Sequence, residues 1–85
     1  MREQVRLTEI NDWVREEFAR VLSIPTNEIP DDAQFYVDLS GDSLQWLELV
    51  ARVEERFGIR LADADLADAD NVRDVAALVA DKLPH

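Results

Sequence analysis

Cysteine is absent from this 85-residue chain, so neither a disulfide framework nor a thiolate metal site holds it together. Histidine occurs once, as His85, and glycine only at Gly41 and Gly58. No run of about 18 apolar residues exists, which excludes a membrane-spanning helix. The start, Met1-Arg2-Glu3-Gln4, lacks the apolar segment of a secretory signal, and a cytoplasmic location is expected. Basic side chains are few, nine against nineteen acidic, for a net charge of −10. That balance argues against nucleic acid and anionic membrane surfaces as partners. What remains is one domain spanning residues 1–85. A chain of this size buries roughly 60–65% of its unfolded surface, enough for one modest core and no enclosed active-site cleft.

The negative charge is unevenly placed. Residues 28–70 carry twelve acidic and three basic side chains, net −9, whereas residues 1–27 are net −1 and residues 71–85 are neutral. Such a surface keeps a small protein soluble and, next to a recognition element, attracts basic partners.

Hydrophobic spacing predicts an all-α protein. Leu7, Ile10, Val14, Phe18, Val21 and Leu22 recur at helical steps, giving an amphipathic first helix over residues 3–22. Pro25 and Pro30 open a long connection that reaches Gly41, with Phe35 and Leu39 as the apolar residues able to pin it to the core. A second helix is expected from Ser43 to Phe57, with Gly58 placed for a left-handed C-terminal cap. Ile59 and Leu61 are expected to be buried in a short link, and Asp63 to cap a short third helix over residues 64–69. Asn71 caps a last helix carrying Val72, Val75, Val79 and Leu83, which Pro84 ends.

The tandem Leu61-Ala62-Asp63-Ala64-Asp65 and Leu66-Ala67-Asp68-Ala69-Asp70 invites a calcium reading. An EF-hand loop needs glycine at its sixth position and glutamate at its twelfth. Counted from Asp63, those positions hold Asp68 and Asp74, so a solvated helical segment is the better reading.

Most of the functional information lies around Ser43. Asp42 is placed as the N-cap of the second helix, with Gln45 completing a capping box. Ser43 then falls at the first helical position, beside N–H groups with no intrahelical partner, where a phosphate diester on its hydroxyl is favoured. At about 100° per residue, Trp46, Leu49, Val50, Val53 and Phe57 form a core stripe. Leu44, Leu47 and Ala51 form a second apolar stripe, with Glu54 beside Ser43 on one flank and Glu48 and Glu55 on the other. A helix in so small a protein seldom needs two buried faces, so the second stripe is expected to be exposed and to dock on partners. Glu48 and Arg52 are spaced for an i,i+4 ion pair.

The segment from Phe35 to Leu44 (Phe-Tyr-Val-Asp-Leu-Ser-Gly-Asp-Ser-Leu), the helix through Glu48-Leu49, and Glu54-Glu55-Arg56-Phe57-Gly58-Ile59 closely resemble the acyl carrier protein family. The resemblance implies a small four-helix bundle with a long first loop and a short third helix. It implies that Ser43 carries 4′-phosphopantetheine, delivered from coenzyme A by a phosphopantetheinyl transferase, and that the arm's thiol holds acyl intermediates of a polyketide or fatty-acid-like pathway. Asp42 then caps the helix or positions the transferase's metal, and Leu44, Leu47, Glu48, Ala51, Glu54 and Glu55 form the partner surface. The implied partners are an acyltransferase or acyl-activating ligase and a ketosynthase or other acyl-processing enzyme, met by a monomeric, non-catalytic carrier. Ser40-Gly41 also resembles the glycine pair of peptidyl carriers, and Trp46 is bulky for its position, so a peptidyl or aminoacyl carrier stays open. An unmodified acidic helical adaptor is a further alternative. Gly41-Asp42-Ser43-Leu44 also spells the motif of GDSL-type hydrolases, but their nucleophile needs a histidine base, and His85 does not match their Asp-x-x-His spacing.

Overall fold

The first stripe of apolar residues becomes α1, Leu7–Leu22, in the computed structural model, which describes residues 7–83. The expected start at residue 3 therefore lies outside the described residues. Ile10, Val14, Phe18 and Val21 are buried as their spacing requires, whereas Leu7, at the helix start, is exposed. α1 ends where Ser23 takes a left-handed φ of 59° and Ile24 N–H returns to the Ala19 carbonyl at 3.1 Å. This is the Schellman arrangement, here without glycine.

The long connection that follows contains one 3₁₀ turn, Thr26–Glu28, and is held down along its length. Ile29, Ala33 and Phe35 are buried. Arg15 of α1 donates to the Ile29 carbonyl at 3.1 Å and pairs with the Asp31 carboxylate. Further along, Phe35 N–H donates to the Asp70 carbonyl at 2.8 Å and Arg73 N–H to the Asp31 carbonyl at 3.1 Å. The loop is thus fixed both to α1 and to the chain around the start of the last helix.

The remaining helices are α2 (Ser43–Phe57), α3 (Asp63–Leu66) and α4 (Val72–Lys82). α1 packs against α4 and α2, and the core gathers Phe18, Phe35, Leu49, Val53, Val72, Val75 and Val79 between them. Among the described residues there are four α-helices and no strand, the all-α architecture with a long first loop and a short third helix.

Three local expectations need correction. Asp63 is the first residue of α3 rather than its cap, and the helix stops at Leu66. Asp65 supplies the capping interaction instead, its carboxylate accepting from Ala62 N–H at 2.9 Å. Beyond Leu66 the chain leaves the helix, Ala69 is buried and the Asp70 carbonyl accepts from Phe35 N–H. Ile59 is half-buried rather than buried, while Leu61 is buried as expected. Asn71 does cap α4, accepting from Asp74 N–H at 2.7 Å, but Leu83 lies beyond the helix as its extended C-cap. Pro84 and His85 lie outside the described residues.

Asp65 also pairs with Lys82 of α4 at 3.0 Å. Its carboxyl titrates below the ordinary range, first because of the Ala62 N–H and then because of the Lys82 ammonium. A depressed folded-state pKa stabilises the fold above the unfolded value of about 3.9, and that contribution disappears as pH falls through the folded value. Asp65→Asn should therefore lower the Tm at neutral pH, with the difference from wild type shrinking to nothing in acid. Paired thermal melts across that range check it.

Candidate functional site

Asp42 occupies the N-cap with extended backbone, φ −121° and ψ 176°. Its Oδ1 accepts from Gln45 N–H at 2.8 Å, and Gln45 Oε1 accepts from Asp42 N–H at 3.0 Å, completing the capping box. Gln45 also donates through Nε2 to the Val21 carbonyl at 3.3 Å, tying the start of α2 to the end of α1. Ser43 follows as the first helical residue, with its side chain exposed. Backbone pairing begins at Gln45 and Trp46, so the N–H groups of Ser43 and Leu44 donate to no acceptor among the described residues. An exposed hydroxyl beside two open N–H donors at a helix N-terminus fits a phosphodiester, whose oxygens accept from such groups.

The approach to Ser43 is shaped by packing. Gly41 N–H donates to the Phe35 carbonyl at 2.8 Å, and a Cβ on Gly41 would sit 2.3 Å from the Phe35 ring. Only glycine fits. Ser40, just before it, has a left-handed φ of 60°. In the sequence the Ser40-Gly41 pair resembles the glycine pair of peptidyl carriers; the structure adds the contact of Gly41 with Phe35.

Around α2, the second apolar stripe is uncovered: Leu44 is 73% and Leu47 64% exposed, and Ala51 is exposed. Glu48 and Glu55 are exposed beside it. Glu54 is half-buried, and its Oε2 accepts from Leu61 N–H at 2.8 Å, so part of that carboxylate supports the link to α3. Exposed apolar side chains also occur in the loop, a feature the helix-based reading does not cover. Val37 is 74% and Tyr36 43% exposed, and the Tyr36 ring lies 6.1 Å from that of Trp46.

Arg52 does not pair with Glu48. It reaches across to Glu17 of α1, whose side chain is buried and which Arg20 also approaches at 3.5 Å. The bond to Glu17, followed by its charge, raises the Arg52 pKa further. The geometric reason is that Glu17 lies on the apolar face of α1, between Val14 and Val21, so its charge needs a partner from the facing helix. That position on the stripe was the available signal.

The profile of the family described as "Phosphopantetheine attachment site" matches residues 12–79. The chain is 40% identical over 72 residues to the Polyketide-8 synthase acyl carrier protein 2 of Streptomyces avermitilis, covering 85% of this chain and 83% of that one. The chain belongs to the acyl carrier protein family. A second carrier in that family, from Chloroherpeton thalassium, is 31% identical over 74 residues, covering 87% and 92% of the two chains. The solution structure of the HMG-ACPI domain of the CurA module from Lyngbya majuscula superposes with a TM-score of 0.79 at 26% identity, covering 95% of this acyl carrier protein and 84% of that domain. The cofactor of an acyl carrier protein is 4′-phosphopantetheine. Such carriers are generally non-catalytic and work with a phosphopantetheinyl transferase and acyl-processing enzymes. No described helix is long and apolar enough to cross a membrane.

Proposed function

We propose that Ser43 is the attachment residue and that this carrier serves a polyketide-type pathway as a monomeric, non-catalytic cytoplasmic protein. The observation that carries the assignment is the exposed Ser43 hydroxyl at the first position of α2, beside the open N–H groups of Ser43 and Leu44. In the loading step the Ser43 Oγ bonds to the phosphorus bearing the pantetheine of coenzyme A. The pyrophosphate bond breaks, adenosine 3′,5′-bisphosphate leaves, and the hydroxyl proton passes to the transferase. Asp42 holds the helix start in place, its Oδ1 accepting from Gln45 N–H, and a carboxylate adjacent to Ser43 would be available to help position the transferase's metal. Once bound, the arm supplies a thiol that holds acyl groups as thioesters.

The chain's own contribution is then presentation. Tethering raises the effective concentration of an intermediate at each partner's site. Leu44, Leu47 and Ala51 offer an apolar strip, with Glu48, Glu54 and Glu55 as its acidic rim, to an acyltransferase or acyl-activating ligase and to a ketosynthase. The named function of the Streptomyces avermitilis relative supports the polyketide assignment. Packing against Phe35 accounts for Gly41 whatever the cargo, and identifying the thioester formed in the native host decides between an acyl and a peptidyl carrier.

Leu47→Asp tests the docking strip. Exposure of the side chain predicts a stability change within about 0.5 kcal/mol. Turnover of the loaded carrier by a ketosynthase should nevertheless fall, seen as a higher KM. Trp46→Asp, which places a carboxylate against Phe35, is the destabilising control. A loss of about 2 kcal/mol or more for Leu47→Asp would make the strip part of the core.

A further inference from the structure

Three of the chain's nine basic side chains meet in one cleft. It lies between α1 and α2, has a volume of about 350 Å³, and is lined by Trp13, Glu17, Arg20, Arg52, Glu55 and Arg56. Arg52 is committed to Glu17. Arg20 reaches the same carboxylate only at 3.5 Å, and its side chain is largely exposed. Arg56 makes no ion pair among the described residues; its guanidinium lies 5.9 Å from the centre of the Trp13 ring and 5.1 Å from that of Phe57. Two guanidinium groups with donors to spare therefore line the same space, over an aromatic wall.

We infer that this cleft receives a carboxylate side chain, Asp or Glu, from a partner protein. The guanidinium fork matches a carboxylate with two parallel hydrogen bonds, and the Trp13 and Phe57 rings beside Arg56 give the guanidinium an apolar wall along one side. The volume lies at the low end of the range of about 300–1,000 Å³ for small-molecule sites, and the lining is far more charged than theirs, which suits a protruding side chain better than an enclosed ligand. Arg52 and Arg56 are the only basic residues of α2, and they sit roughly 130° around the helix from the Leu44–Leu47 strip, beyond Glu48 and Glu55. With Glu17 held by Arg52, the guanidinium groups of Arg20 and Arg56 outnumber the remaining carboxylate, Glu55, so a partner surface presenting only positive charge is disfavoured here. One acidic residue at this point therefore fixes how the carrier is rotated about α2, a form of discrimination that an apolar strip alone lacks. The site depends neither on Ser43 nor on the cofactor.

The test uses the full ¹⁵N-labelled chain and two helical peptides of one design, carrying a central Glu-Glu or Gln-Gln pair. The readouts are the Nε–H resonances of Arg20 and Arg56 and the indole N–H of Trp13. The glutamate peptide should shift these resonances saturably, and binding should weaken about tenfold or more with the glutamine peptide. The double substitution Arg20→Gln with Arg56→Gln should remove that preference. Should it fail to fold, the comparison of the two peptides on the wild-type chain still decides. Equal shifts from both peptides, shifts confined to the Leu44 and Leu47 amides, or no shift with millimolar glutamate peptide would overturn the inference.

Discussion

Phe35→Ala is expected to destabilise the fold by about 3–5 kcal/mol, the cost of removing a fully buried aromatic ring. The Phe35 ring meets those of Phe18, Tyr36 and Trp46 at centroid distances of 5.4, 5.4 and 5.0 Å, all edge-on, and such pairs add to the area that burial removes from water. Its backbone ties the loop to Asp70, and its ring supports Gly41, two residues before Ser43. A small domain has only about 5–15 kcal/mol of stability in total, so this variant should lie close to unfolding. Urea titration followed by circular dichroism gives the value. Gly41→Ala probes the same contact from the other side and should cost about 1–3 kcal/mol, because the ring has to move. A Phe35→Ala variant as stable as wild type would mean that the loop is not anchored by this ring and that the approach to Ser43 is set by something else.

The parts of this fold that were legible in the sequence are those governed by local chemistry. Apolar periodicity located α1, α2 and α4, and Asp42, Gln45, Gly58 and Asn71 capped helices where their side chains or backbone freedom allow. The two faces of α2 were legible for the same reason, since a helical repeat fixes which residues share a side. What was not legible depends on elements distant in the chain. Glu17 is bonded by Arg52 rather than leaving that arginine to Glu48, and Glu54 turns its carboxylate to the Leu61 backbone. The chain after α3 is bonded to Phe35, far back in the loop, through the Asp70 carbonyl. Within the candidate site, Ser43 and its cap were readable from adjacent residues, whereas the exposed Tyr36 and Val37 depend on how the loop lies against α2.

Ser43→Ala should have an all-or-none effect on modification and almost none on folding. The cap of α2 is made by Asp42 and Gln45, so removing an exposed hydroxyl should change stability by less than about 0.5 kcal/mol. The variant should melt with wild type and accept no prosthetic group.

The most direct test of the carrier assignment is intact-mass measurement, with peptide mapping, after incubation with coenzyme A, Mg²⁺ and a broad-specificity phosphopantetheinyl transferase. Wild type should gain one phosphopantetheine group, mapped to Ser43, while the nearby Ser40 stays unmodified and Ser43→Ala keeps its original mass. An unchanged wild-type mass with several competent transferases, or a group mapped to Ser40, would contradict the account.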